Sequence, residues 1–132
     1  MKQNADRQAV QEAADQLIAA FSNHNREKYF AAFDEQATFM FHNLDRMLKS
    51  RAEYEAVWKA WEDEDQFRIL ACGSSNQHIQ LIGEVAIFTH NVSTDVTIQG
   101  QKETSSERET IVFARQGSGR WLGVHEHLSK YE

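Results

Sequence analysis

The stretch "RWLGVHEHLS" (120–129) sets His125, Glu126 and His127 side by side near the end of the chain. Imidazole and carboxylate groups bind metal ions and transfer protons. The stretch is typical of a β-strand, in which alternate side chains share a face. We therefore expect His125 and His127 on one face together with Trp121, and Glu126 on the other.

Glu126 is the first candidate for acid–base chemistry. Its predicted face also carries three apolar residues, Leu122, Val124 and Leu128. We assign this face to an interior cavity, where a carboxyl group has a raised pKa and can act as a general acid or base. The alternatives are a salt bridge to Arg108 or Arg115, because buried charged groups are usually paired, and a position at the cavity mouth in contact with water.

The His-x-His spacing of His125 and His127 also suggests a zinc site, but zinc needs a third protein ligand. His90 or the histidines of a symmetry mate are the available sources. We favour interface histidines hydrogen-bonded across the sheet, and predict no metal. His90 shares its face with Phe88 and Val92, so it either joins Glu126 as a catalytic residue or lies in an outer apolar layer.

Composition limits the classes of function. The 132 residues fit one domain (1–132), and 14 basic against 20 acidic residues give a net charge of −6 with no basic cluster. Nucleic-acid and membrane partners are therefore not expected. The lone Cys72 is consistent with a reducing, cytoplasmic location. No glycine-rich phosphate loop is present, so we predict no cofactor.

Helical spacing dominates the first half of the chain. Apolar residues recur every three or four positions over 4–21, a short second helix follows Ser22–Asn25, and 37–43 is typical of a strand. A third helix begins after Ser50, a plausible N-cap, and carries an aromatic stripe with Trp58 and Trp61.

Four long strand-like stretches follow, separated at 83–84, 100–101 and 116–119. Glycine in the first central position of the two-residue loops predicts type II′ hairpins and hence an antiparallel meander. Strands of this length must twist, with a bulge expected near Gly73–Ser75. We predict an α+β fold: a cone-shaped, strongly curved antiparallel sheet with N-terminal helices packed on its concave face.

Three stretches carry a family resemblance: "HIQLIGEVAI" (78–87), "SERETIVFARQGSGRW" (106–121) and "VHEHLS" (124–129). With the order of elements, they make the chain similar to the nuclear transport factor 2-like, or SnoaL-like, superfamily. The nearest branch is that of the calcium/calmodulin-dependent protein kinase association domain. The resemblance implies a cystatin-like fold, and it leaves function open because the superfamily hosts isomerases, cyclases, hydrolases and assembly domains.

The departures from the family carry information about function. The steroid isomerase branch has a catalytic aspartate where this chain has Phe41, so isomerase chemistry of that type is not expected. The kinase association domain lines its cavity with arginines at positions that correspond here to Ile111, Leu128 and Val92 or Ser93. A carboxylate ligand held by arginines is therefore not expected either.

Two functions remain from this reasoning. The first is binding of a hydrophobic small molecule in a largely hydrophobic cavity, with an isomerase-, cyclase- or hydrolase-type reaction left open. The predicted pocket residues are Phe41, Trp58, Trp61, Ile111, Phe113 and Glu126, and the predicted catalytic residues are Glu126 and His90.

The second function is a non-catalytic homodimerisation module. Its predicted interface residues are Thr110, Val112, Trp121, His125 and His127. A homodimer is expected under either reading, because an uncovered apolar sheet face exceeds the few hundred Å² that monomers tolerate. Protonation of the interface histidines should weaken that dimer at about pH 6.

Overall fold

The computed structural model describes residues 2–131, so the first and last residues of the predicted 1–132 domain lie outside the described range. The helices are α1 (Lys2–Ser22), α2 (Arg26–Ala31) and α3 (Arg51–Asp65). The strands are β1 (Phe33–Phe41), β2 (Arg68–Ile82), β3 (Val85–Ile98), β4 (Gln101–Arg115) and β5 (Trp121–Lys130).

Side-chain caps fix where α2 and α3 begin. Ser50 Oγ accepts a hydrogen bond from the Glu53 amide at 3.1 Å, and Glu53 Oε1 accepts one from the Lys49 amide at 3.1 Å. These contacts satisfy amides that have no partner within the helix. The predicted Ser50 cap is confirmed. Asn25 caps α2 in the same way, accepting from the Lys28 amide at 3.2 Å.

The five strands form one sheet in the order β1-β5-β4-β3-β2. From β2 to β5 every neighbouring pair is antiparallel, which confirms the predicted meander. β1 instead runs parallel to β5, an arrangement that the sequence analysis did not predict. Because α3 separates β1 from β2, no tight hairpin forces β1 to pair with β2.

The two hairpin turns differ in type. Ile82 pairs with Val85, so Gly83 and Glu84 form the first loop, and Gly83 alone has a positive φ (60°), as type II′ requires. In the second hairpin Ile98 pairs with Gln101, so the loop is Gln99–Gly100, with φ of 52° and 81°. The predicted 100–101 loop is therefore wrong by one residue, and the turn is type I′.

A bulge at Val124 reverses the alternation of β5. Val112 pairs with His125 but Phe113 pairs with Gly123, which leaves Val124 as the extra residue. A bulge places two consecutive residues opposite one and so re-aims the strand. Trp121 therefore lies in the core, 5% exposed, and its predicted place on the outer face with His125 is wrong.

Helices α1 and α3 lie across the curved sheet, α1 mainly against β2 and α3 against β1. Large side chains fill the narrow end of the cone with almost no exposure: Phe33, Phe39, Leu48, Phe88, Ile111 and Phe113. The register of β2 against β3 shifts twice, at Leu70 and at Asn76–Gln77, and the second shift lies next to the bulge predicted near 73–75. Among residues 2–131, no helix combines the length and the apolar character needed to cross a membrane.

Candidate functional site

The open end of the cone holds a cavity of about 520 Å³ between the helices and the sheet. One wall is aromatic and comes from the helices and β1: Phe21, Tyr29, Phe41, Tyr54, Trp58, Trp61 and, after α3, Phe67. The facing wall comes from the sheet and carries most of the acids: Glu103, Glu107, Glu109 and Glu126. Within the described residues 2–131, no lysine or arginine lines this cavity.

Four of the six predicted pocket residues line this cavity: Phe41, Trp58, Trp61 and Glu126. Ile111 and Phe113 do not, because both are fully buried in the packed narrow end of the cone. Their prediction as cavity walls is therefore wrong. The inner face of β4 is apolar only at that end, and it becomes acidic toward the open end.

Glu126 faces the cavity and is only 2% exposed. The Tyr29 hydroxyl donates a hydrogen bond to Glu126 Oε1 at 3.1 Å, and the Tyr54 hydroxyl lies 3.0 Å from that of Tyr29. Since the single proton of Tyr29 points at Glu126, Tyr54 donates to Tyr29. The pKa of each tyrosine is raised well above 10.0, mainly by burial. Both hydroxyl groups therefore stay protonated and donate hydrogen bonds.

The arginines considered as partners for Glu126 bind elsewhere. Arg115 forms an ion pair with Glu84 at 2.7 Å, and the guanidinium of Arg108 lies 4.6 Å from the ring centroid of Tyr131. Among the described residues, Glu126 is therefore held in its buried position by a hydrogen bond from the uncharged Tyr29 hydroxyl and by a second carboxyl group, and not by either arginine.

That second carboxyl is Glu109 on β4, which the sequence analysis did not single out. It lines the cavity, is buried, and shares a hydrogen bond with Glu126. Burial raises the pKa of Glu126 well above 4.5, and the charge of Glu109 raises it further. Burial also raises the pKa of Glu109, whereas the hydrogen bond with Glu126 lowers it. Two adjacent buried carboxylates repel, so the pair holds one proton in common.

His90 joins the same group from β3 and lines the cavity. Its Nε2 lies 2.6 Å from Glu109 Oε1, and its Nδ1 lies 2.6 Å from Ser74 Oγ on β2. Burial lowers the pKa of His90 to about 4, so the imidazole is neutral at pH 7. The structure thus brings the two predicted catalytic residues into one network, with Glu109 between them.

The mouth of the cavity has a separate histidine–glutamate contact and a thiol. His42 Nε2 lies 2.6 Å from Glu107 Oε2, and both side chains line the rim. Cys72 lines the wall nearby, and burial raises the pKa of its thiol to about 11. A thiol that stays protonated at neutral pH is a poor nucleophile, so this cysteine supplies no covalent chemistry.

The outer face of the sheet carries His125 and His127, whose ring centroids are 6.4 Å apart. Their cross-strand partners on β4 are Val112 and Thr110, so four of the five predicted interface residues share this face. Thr38 Oγ1 contacts His125 Nδ1 at 2.8 Å. In residues 2–131 no three His, Cys, Asp or Glu side chains converge in a way that could hold a metal ion.

A sequence signal for Glu109 did exist. Residues 107, 109, 111 and 113 alternate along β4, so the face assigned to Ile111 and Phe113 also carries Glu107 and Glu109. Extending the predicted pocket face along the same strand finds both acids. No comparable signal exists for Tyr29, because its contact with Glu126 joins residues that are far apart in the sequence.

Comparison with known proteins agrees with this architecture. The family model described as the SnoaL-like domain matches residues 10–131. Among curated proteins, no sequence matches the chain.

Solved structures resemble the chain in fold at low sequence identity. A nuclear transport factor 2-like superfamily protein from Salmonella enterica has a TM-score of 0.82 and 14% identity, over 98% of this chain and 94% of that one. A ketosteroid isomerase-like protein from Erwinia carotovora has a TM-score of 0.78 and 15% identity, over 94% and 95%. The association domain of CaMKII from C. elegans has a TM-score of 0.72 and 22% identity, over 96% and 97%.

Proposed function

The chain belongs to the SnoaL-like domain family, and we propose that it binds a small, largely hydrophobic molecule in its cone and transforms it by acid–base catalysis. One observation carries the proposal: two buried carboxyl groups, Glu109 and Glu126, lie next to each other at the wall of an aromatic cavity. A pair of this kind offers a proton donor and a proton acceptor at neighbouring points.

The cavity suits a flat, mainly apolar ligand. Its volume of about 520 Å³ falls in the range of small-molecule sites, which bury most of a ligand's surface. The aromatic wall supplies contact area and excludes water, which strengthens every electrostatic interaction at the opposite wall. Glu126 and Glu109 provide the few convergent polar groups that fix a ligand's orientation.

The reaction class is proton transfer, of the kind that isomerases, cyclases and some hydrolases use. Protonated Glu126 can donate to an oxygen that gains negative charge, and ionised Glu109 can accept a proton from the substrate. Similarity to a ketosteroid isomerase-like protein supports this class only at the level of the fold. The catalytic groups proposed here come from β4 and β5, whereas Phe41 is an apolar residue of the cavity wall.

The experiment is binding of a neutral, environment-sensitive naphthalene ketone such as Prodan. We expect saturable binding with a blue-shifted emission, which reports an apolar site. Thr94→Phe should abolish binding, because Thr94 is 5% exposed and lines the cavity. Leu70→Phe is the matched control, since Leu70 is 47% exposed and is not among the cavity-lining residues. Equal binding by both variants would contradict the proposed cavity function.

Homodimerisation is the second candidate. Similarity to the C. elegans CaMKII association domain and to a putative association domain from Xanthomonas campestris favours it. The outer face around Thr110, Val112, His125 and His127 is the proposed contact surface. A dimer is compatible with the cavity function, because the contact surface and the cavity lie on opposite faces of the sheet.

A further inference from the structure

We propose that Ser74 and His90 hold Glu109 as the ionised member of the carboxyl pair, so that Glu109 is the base of the site and Glu126 is its acid. This assignment rests on the proposed acid–base function and deepens it. Ser74 and His90 are positioning residues, because they act on the reacting group through Glu109.

One hydrogen-bond series begins on β2. Gln77 Nε2 donates to Ser74 Oγ at 2.8 Å, which leaves the hydroxyl proton of Ser74 free to point at His90 Nδ1, 2.6 Å away. A neutral imidazole has one acceptor nitrogen and one N–H. If Nδ1 accepts from Ser74, Nε2 carries the proton and donates to Glu109 Oε1.

The other hydrogen-bond series begins on helices α3 and α2. Tyr54 donates to Tyr29, and Tyr29 donates to Glu126 Oε1. Oε1 therefore serves as the carbonyl oxygen of a protonated carboxyl group, and the proton on the other oxygen is free to point at Glu109. Every donor then has an acceptor, and both hydrogen-bond series end at Glu109 without a conflict of direction.

Burial decides which carboxyl stays neutral. Glu126 is 2% exposed and Glu109 is 8% exposed, so the charge costs less on Glu109. An ionised Glu109 receives two donors, His90 Nε2 and the Glu126 hydroxyl. An ionised Glu126 would also receive two, from Tyr29 and Glu109, but the short His90 contact of 2.6 Å would then go to a neutral carboxyl group, whereas a donor is stronger toward a charged one. The remaining groups that face the pair are Glu107, whose charge disfavours ionisation of both, and the two tyrosines, which stay protonated.

Burial favours a neutral His90 over an ion pair between a protonated His90 and Glu109. In an ion pair, His90 would be an imidazolium and would place a second buried charge beside Glu109. The His90 side chain is 1% exposed, and its desolvation opposes that charge. The neutral Nε2–H tautomer keeps the same contact with Glu109 and leaves one buried charge in the whole network.

The direct test is the tautomer of His90 in the free protein at pH 7, from long-range 1H–15N correlation spectra. His90→Gln identifies the His90 signals by their loss. We expect a protonated Nε2 and an unprotonated Nδ1. An Nδ1–H tautomer or an imidazolium would overturn the assignment, whether or not any ligand binds.

The second test uses 5-nitrobenzisoxazole, a flat neutral carbon acid. A base takes the ring C–H proton, that electron pair completes a nitrile, and the N–O bond breaks to release a coloured phenolate. We expect Glu109→Gln to lower the rate by roughly 100-fold, the usual contribution of one positioned base. Glu126→Gln should lower the rate less than Glu109→Gln does, since an amide still donates to Glu109 but supplies no acidic proton to the leaving oxygen.

Glu84→Gln is the matched control, since it neutralises an acid in the β2–β3 turn that is 70% exposed and is not among the cavity-lining residues, and it should leave the rate within about 2-fold. Full activity of Glu109→Gln would overturn the inference, and so would a wild-type protein that binds the probe without opening it. Failure to bind the probe would instead contradict the proposed function, and the tautomer of His90 would still decide the inference.

Discussion

The carboxyl groups of Glu109 and Glu126 meet although the two residues are not cross-strand partners. Glu109 pairs with Leu128, and Glu126 pairs with Ile111, so the two acids lie diagonally across the β4–β5 ladder on its inner face. Diagonal neighbours are within reach of long side chains. The bulge at Val124 sets this relationship, because it changes which residues of β5 face inward on its two sides.

Stability should decline with rising pH because of the carboxyl pair. Burial raises the folded-state pKa of Glu126 above its ordinary value of 4.5, so the folded chain binds the proton more tightly than the unfolded chain. The free energy of unfolding therefore falls as pH rises from about 5 toward 8, by at most about 1.4 kcal/mol per pH unit for one proton. Urea unfolding followed by circular dichroism measures this slope.

Glu126→Gln should flatten that slope and make the protein more stable than wild type at pH 8 by on the order of 1–2 kcal/mol, because no second buried carboxyl then has to ionise beside Glu109. Glu84→Gln, which neutralises a side chain that is 70% exposed and does not line the cavity, is the control and should keep the wild-type slope. If the free energy of unfolding depends on pH in the same way in wild type and Glu126→Gln, then Glu126 does not carry the shared proton.

His90 should have the opposite effect on stability at acid pH: it should make the protein less stable as the pH falls. Its pKa is about 4 in the folded chain against an ordinary value of 6.5, so the unfolded chain binds more protons between these values. Stability is therefore present above pH 6.5 and is lost as pH falls through this window, by on the order of 2–3 kcal/mol. The His90→Gln variant has no imidazole to protonate at this position, so it should not lose this stability as the pH falls. An unchanged difference between the two proteins from about pH 7 to about pH 4 would contradict a buried neutral imidazole.

Gly123→Ala should destabilise the fold by about 1–3 kcal/mol, as overpacking of a core typically does. A Cβ at Gly123 would lie 2.7 Å from Phe33 Cδ1, and Phe33 is fully buried and has no room to move. Gly73→Ala is the matched control in another strand, since its Cβ would approach nothing nearer than 4.0 Å. Thermal unfolding of both variants provides the comparison, and equal midpoints would mean that Phe33 adjusts freely.

Val112→Arg should dissociate the proposed homodimer. Val112 lies beside His125 at the centre of the outer sheet face, and a buried unpaired guanidinium at an interface is strongly unfavourable. Leu70→Arg adds the same charge on β2, three strands away from β5 in the sheet order. Sedimentation velocity should give a dimer for wild type and Leu70→Arg and a monomer for Val112→Arg. A dimer in all three would exclude this face.

The same dimer should weaken below about pH 6 as His125 and His127 gain charge. Burial lowers the pKa of His125, and the neighbouring His127 lowers it further, so full protonation requires a pH below the ordinary value for histidine. Their cross-strand partners, Thr38, Met40, Thr110 and Val112, carry no charge to offset the repulsion. The double variant His125→Gln/His127→Gln should remain dimeric at about pH 5.5. A wild-type dimer unchanged at that pH would remove the histidines as the cause.

Sequence alone determined the class of fold and the position of Glu126. Helical and alternating patterns are local, since they depend on spacings of three or four residues and of two residues. These patterns predicted the three helices, the meander of β2 to β5, the Ser50 cap and the position of the Glu126 carboxyl group on the cavity side. The alternation of β4 also contained Glu109, as an inner-face residue in phase with Ile111 and Phe113.

Tertiary structure alone decided which of these groups touch and which way β5 faces at its start. The Val124 bulge moved Trp121 into the core, because one extra residue inverts an alternation of period two. The contact of Tyr29 with Glu126 and that of His90 with Glu109 join residues from different elements across the cone. Spacing along a chain does not encode such contacts, because they arise only when the sheet curls and the helices close over it.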